Sequence, residues 1–124
     1  MHRSGDFQAA SGWKIGLELL RSAQRPSAIF ACNDMMAIGV LRAASEAGLR
    51  VPEEVALVGF DDIDLASYTN PPLTTVCQDK ARVSEIAVDM LMRRMQDNEI
   101  LNQVESLQPV LIVRKSCGAH LASA

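Results

Sequence analysis

Pro26–Gln78 reads PSAIFACNDMMAIGVLRAASEAGLRVPEEVALVGFDDIDLASYTNPPLTTVCQ, and the fold is decided here. Three short apolar runs stand out: Ala28–Cys32 (AIFAC), Val55–Phe60 (VALVGF) and Thr74–Cys77 (TTVC). Each follows a proline and stops at a polar pair, Asn33-Asp34, Asp61-Asp62 and Gln78-Asp79. Runs this short, β-rich and apolar on both faces predict strands of a covered parallel sheet. Between the first two lies Met35–Ala47, a helical pattern with Asp34 as its expected N-cap and Gly48 as its stop.

Outward from this block the alternation continues. Ser11–Ser22 places Trp13, Leu17 and Leu20 on one helical stripe, widened by Ile15 and Leu19. Downstream, Arg82–Gln96 carries Val83, Ile86, Ala87, Met90, Leu91 and Met95 near a 3.6-residue period, and Val110–Val113 reads as a closing strand. The order helix, strand, helix, strand, strand, helix, strand predicts an α/β architecture with right-handed crossovers. Cys117–Ala124 reads as a loose tail.

Composition narrows the function classes. The chain has 124 residues, a net charge of −3 and 48% hydrophobic residues, which suits one small domain or one lobe of a larger one. Lys and Arg are scattered, so a direct nucleic-acid footprint is not expected. Cys32, Cys77 and Cys117 lie far apart with no C-x-x-C spacing, and the two histidines, His2 and His120, complete no ligand set with them; no metal and no other cofactor is expected. They read as buried thiols of a reducing cytosol. Neither a signal peptide nor a membrane span is visible, which predicts a cytoplasmic protein away from membranes.

In open parallel sheets, ligands bind beyond the carboxyl ends of strands. Asn33, Asp61 and Gln78 stand at three successive strand ends. A carboxylate accepts two hydroxyl hydrogen bonds and each amide both donates and accepts, a set that suits a neutral polyhydroxy ligand. The plainer alternative makes them turn formers and caps, the reading preferred for Asp34 and Asp62. The second helix also carries apolar residues around more than one face (Met35, Met36, Ile38, Val40, Leu41), which fits a subunit interface or deeper burial within its own lobe.

These residues also carry a resemblance. FACNDMMAIG, GLRVPEEVALVGFDD and PPLTTVCQ, in this order and spacing, closely resemble the effector-binding region of LacI/GalR-type transcription regulators. The likeness runs upstream through GDFQAASGW (Gly5–Trp13) and downstream to VLIVRKSCG (Val110–Gly118). FDDIDLAS followed by PPLTT is most similar to ribose-operon repressors. The resemblance implies an incomplete Rossmann-like lobe of the periplasmic-binding-protein type I fold, in which ligand sits between two lobes. It implies that Asn33 and Asp61 bind sugar hydroxyls, that Gln78 at the crossover is a further polar contact, and that Phe7 stacks on the sugar's apolar face. It also implies that the helix bearing Met35, Ile38 and Leu41 forms the interface of a homodimer or higher oligomer. Lys80 and Ala81 stand where relatives often have a proline or an aromatic, which leaves specificity there open.

Three segments are therefore expected. Residues 1–78 would be part of a C-terminal lobe. Residues 79–116 would be a crossover helix and strand returning to a mostly absent N-terminal lobe, and 117–124 a tail. The function implied is effector sensing, with a sugar such as ribose, in a repressor that reaches DNA only through a missing N-terminal helix-turn-helix. No catalytic residue is expected. Two alternative readings are weaker. Asp62-Ile63-Asp64 after a strand mimics the nucleophile of haloacid-dehalogenase phosphatases, but no later acidic pair follows to hold magnesium. A stand-alone sugar-binding protein would share the fold yet call for a signal peptide and both lobes. A nicotinamide enzyme is disfavoured because no G-x-G-x-x-G follows a strand.

Overall fold

The computed structural model describes residues 1–96 and 104–123; residues 97–103, inside the 79–116 stretch, and Ala124 of the expected tail lie outside the described residues. The elements run in the predicted order: α1 (Ala9–Leu20), β1 (Ala28–Phe30), α2 (Asp34–Glu46), β2 (Ala56–Phe60), β3 (Thr74–Cys77), α3 (Lys80–Gln96) and β4 (Val110–Ile112). The strands form one sheet in the order β1-β2-β3-β4. β1 and β2 pair in parallel with Phe30 beside Val58, and β2 and β3 pair in parallel with Phe60 beside Val76.

The chain divides into two compact units, Met1–Cys77 with the segment from Leu111 onward, and Gln78–Val110. In the first unit, α2 packs on β2 and α1 packs on α2. One cluster joins Ala31, Ala37, Val40, Leu57, Ala66 and Leu73; a second joins Leu20, Ala43, Ala44 and Val55. The two-faced reading of the strands holds only in part. Ala28 and Phe30 of β1 are exposed while Ile29 turns inward, because the helices of this unit cover one face.

The helix pair depends on missing side chains. A Cβ on Gly12 would collide with the Met36 backbone carbonyl, and one on Gly39 with the Ala9 carbonyl and the Trp13 amide. The two backbones therefore touch, a proximity that only glycine permits. At the rim of this contact the Trp13 indole donates to Glu46 at 3.0 Å, and the Arg42 guanidinium lies 5.2 Å above the indole ring. Arg42, and after it the indole, hold the Glu46 carboxyl below the usual carboxylate range.

In the second unit, the Asp79 side chain accepts from the Arg82 amide at 2.9 Å and starts α3. No residue of α3 is buried. Val83, Ile86, Ala87 and Met90 instead line an open apolar cleft with Val104 and Leu107. An amphipathic helix with its stripe uncovered is what a crossover helix separated from its lobe would show.

The expected boundary at residue 116 is corrected. β4 extends the sheet beside β3, and the residues after it are stitched into the first unit. The Ser116 hydroxyl is buried, donates to the Leu57 carbonyl at 2.7 Å and accepts from the Thr74 amide at 2.8 Å. The physical reason is that β3 needs an outer neighbour for its backbone groups, and 111–116 supplies it. The tail is ordered into a 3-10 turn at Ala119–Ser123.

Replacing Gly39 with alanine in an ordinary exposed helix would stabilise it by about 1 kcal/mol. Here the overpacking against α1 reverses the sign. Gly39→Ala is expected to lower stability by about 2–3 kcal/mol, read from the midpoint of urea unfolding followed by circular dichroism.

Candidate functional site

The carboxyl ends of β1 and β2 form a polar rim. After β1 the chain reaches Asn33, whose extended backbone (φ −155°, ψ 165°) makes it the N-cap of α2. Its side-chain oxygen accepts from the Met36 amide at 2.9 Å, and its amide nitrogen donates to the Phe7 carbonyl at 2.9 Å. The sequence assigned the cap to Asp34; the structure moves it one residue earlier. One lone pair and one N–H of the Asn33 amide remain for a ligand.

Asn33 thereby fixes Phe7. This residue has φ 64°, in the left-handed region, and its ring is 59% exposed. Asp6 closes the loop, accepting from the Gln8 amide at 2.9 Å. The Ser11 hydroxyl, followed by the Gln8 amide, keeps the Asp6 carboxyl below its ordinary range. A large aromatic held open to solvent on strained backbone is poor core packing and a suitable stacking platform.

Asp61 and Asp62 after β2, and Asp34 at the start of α2, divide their work. The Asp61 amide continues the ladder to the Val76 carbonyl at 2.9 Å, but among the described residues its carboxylate has no hydrogen-bond or ionic partner. Asp62 accepts from the Arg114 guanidinium at 2.8 Å in a pair about four-fifths buried. Arg114 also donates to the Leu73 carbonyl at 2.9 Å, and its amide donates to the Thr74 hydroxyl at 2.8 Å. Asp34 is fully buried, accepting from the Thr75 hydroxyl at 2.6 Å and the Ile63 amide at 2.9 Å. Asp61 and Asp62 both have positive φ, 114° and 50°. Strained backbone at non-glycine residues gathers at functional sites, and these two with Phe7 are the non-glycine instances among the described residues.

Of the four residues singled out as effector contacts, Phe7, Asn33 and Asp61 thus belong to the first unit, the first two directly bonded and the third at the neighbouring strand end. Gln78 is exposed and is the first residue of the second unit. A cleft of the first unit, about 280 Å³ along β1, is lined by residues such as Gly12, Ala28, Phe30 and Cys32 and takes in none of the three. Along α2, Met35 is exposed, Ile38 is half-buried, and Leu41 packs against the first core cluster. Among the described residues no cluster of His, Cys, Asp and Glu could hold a metal ion, and no helix is long and apolar enough to cross a membrane.

The sequence reading missed Asp34, Thr75 and Arg114. Asp34 was set aside because an aspartate before a helix reads as a cap, and nothing local distinguishes it from one. Arg114 lies 52 residues from its partner, beyond any short-range pattern.

Parallel strands with helices between them and polar residues at the strand ends fit one lobe of a binding-protein-like fold, and a family comparison agrees on the fold. The family of periplasmic binding protein-like domains matches residues 1–117, and the chain belongs to it. Its similarity extends to transcription repressors and to LacI family regulators. The chain is 42% identical over 113 residues to the ribose operon repressor of Escherichia coli, and 39% identical over 112 residues to the HTH-type transcriptional repressor PurR of Photobacterium profundum. These matches take in 91% and 90% of the chain but 34% of each relative, so the chain spans about a third of their length. Among solved structures, a LacI family regulator from Enterococcus faecium with bound ribose aligns at TM-score 0.79 and 33% identity, over 90% of this chain and 41% of that one. The lac repressor dimer bound to operator aligns at TM-score 0.83 and 34% identity, over 91% and 39%.

The division of labour between adjacent aspartates is measurable. Asp61→Asn is expected to change stability by no more than about 0.5 kcal/mol, since its carboxylate supports nothing in the fold. Asp62→Asn should lower it by about 1–2 kcal/mol by weakening a charge-assisted bond to Arg114. Equal effects of the two in urea unfolding would contradict the assignment.

Proposed function

We propose that this chain contributes the ligand-sensing and dimerising part of a LacI-type transcription repressor, with a sugar such as ribose as effector. The observation that carries the proposal is the Asp61 carboxylate, which stands at a strand end without a partner among the described residues, while Asp34 and Asp62 are committed. A free carboxylate on a pre-set backbone accepts hydroxyl hydrogen bonds without first giving up protein ones. Phe7 supplies an apolar face for the ring's C–H groups, and the spare amide donor of Asn33 adds a polar contact. Gln78 would contact the ligand from the crossover. That relatives are repressors, and that related structures hold ribose, supports the same reading.

The remaining parts of the proposal rest on chemistry of the same kind. Met35 and Ile38 present apolar surface on α2 for a second subunit, with Leu41 supporting them from the core side. DNA contact is assigned to a helix-turn-helix outside this sequence, because no basic patch is present in it. The protein works in the cytoplasm and is no enzyme: Asp62, the residue that would act as a phosphatase nucleophile, is engaged by Arg114. The rim supplies only part of a clamp, so the rest of the regulator completes it.

A hybrid tests this directly. Residues 5–118 replace the equivalent segment of the Escherichia coli ribose operon repressor, and operator binding is followed by fluorescence anisotropy. The hybrid is expected to bind operator and release it on adding ribose; Asp61→Asn in it should bind operator normally and fail to release. Ribose-driven release by the Asp61→Asn hybrid would refute the contact. The 124-residue chain alone should give no measurable heat with millimolar ribose in calorimetry.

A further inference from the structure

We infer that Asp34 is the positioning residue of the rim: its buried carboxylate holds Asp61 and Asp62 in the left-handed backbone that presents Asp61 to a ligand. The inference rests on the reading of Asp61 as the ligand acceptor.

Asp34 is fully buried and forms no ion pair among the described residues. A polar group so placed must find hydrogen-bond partners. It has them in the Thr75 hydroxyl at 2.6 Å and the Ile63 amide at 2.9 Å. The two donors come from different elements. Ile63 is the residue that follows it. Thr75 lies on the neighbouring strand, and its hydroxyl also receives the Asp62 amide at 3.4 Å. Asp34 therefore ties the far end of the turn to β3 and to the start of α2 at once.

The sheet makes room for this contact. A Cβ on Gly59 would collide with the Asp34 carboxylate oxygen and come within 3.1 Å of Leu73. β2 thus leaves a side chain out two residues before Asp61, and the carboxylate occupies that space. Non-glycine residues stay at positive φ only where their surroundings over-determine them. Around Asp61 and Asp62 the constraints are the Arg114 pair from one side and Asp34 from the other. The Arg114 pair fixes a side chain; Asp34 fixes the backbone.

The test uses the 124-residue chain, with Asp34→Asn, Thr75→Val and the conservative Thr75→Ser. Nuclear magnetic resonance gives the φ angles of Asp61 and Asp62, and hydrogen exchange gives the protection of the Ile63 amide relative to Leu57 in β2. Asp34→Asn and Thr75→Val should lower the Ile63-to-Leu57 ratio by about tenfold, the loss of one hydrogen bond, and release both aspartates from positive φ. Thr75→Ser should preserve both readouts. If the two amides fall together while the φ angles stay positive, the role is merely structural and the inference is overturned. Should Asp34→Asn fail to fold, Thr75→Val decides alone, because it leaves the carboxylate in place.

In the hybrid repressor, Thr75→Val is expected to raise the ribose needed for half-release about tenfold, with operator affinity unchanged and Thr75→Ser normal. A normal response from Thr75→Val beside an unresponsive Asp61→Asn overturns the inference. A normal response from Asp61→Asn removes the ligand-contact reading instead, while the φ and exchange results still decide the positioning role.

Discussion

The side chain of Asp34 sits where two strands, one helix start and one turn meet, and it is fully buried. Burying polar oxygens is costly unless they find hydrogen-bond partners. This single requirement dictates several features around it. Thr75 must offer a hydroxyl from β3, Ile63 must turn its amide inward, and β2 must carry Gly59 so that the oxygen fits. Once these are in place, Asp61 and Asp62 have little freedom, and the rim takes its shape. The helix cap follows too. With the Asp34 side chain turned into the core, Asn33 caps α2, and in that position its amide reaches the Phe7 carbonyl. A buried acidic side chain at the helix start thus sets both the acceptor and the aromatic of the proposed ligand rim.

The segment that returns to the first unit closes the same region from the other side. Ser116 bridges β2 and β3 through one buried hydroxyl, and Arg114 gathers Leu73, Thr74 and Asp62. Removing one of these side chains would strand buried backbone groups without partners, the costlier half of any hydrogen bond. The stability of the sheet and the geometry of the rim therefore share residues. Asp62 is the clearest instance, adjacent in sequence to a residue whose carboxylate supports nothing.

How much of this was legible follows from the range of each signal. Strand ends, helix periodicity and order could be read because apolar runs and their polar stops are local: β3 is found at the residues expected, and α2 within one residue of them. The rim residues Asn33 and Asp61 stood out for the same reason. Asp34 did not, since a cap and a buried network acid have the same neighbours in sequence. The return of residues 111–116 was not visible either. It depends on bonds from Arg114 to Thr74 and from Ser116 to Leu57, 40 and 59 residues away. The glycines of α1 and α2 read only as weak helix formers, and their use as a crossing point emerges when both helices are seen together.

A sensor needs more than a place for ligand. Its effector shifts an equilibrium only by the difference in its affinity for two arrangements. A contact equally good in both would bind and signal nothing. Under the proposed function, strained and pre-set groups would suit this demand, because Asp61 is held in one backbone geometry. The chain passes between its two units twice, at Cys77–Gln78 and at Val110–Leu111. The second passage lies three residues before Arg114, which grips Asp62 within the first unit. A stiff rim converts a ligand's preference for one arrangement into free energy of coupling, where a pliant one would absorb it.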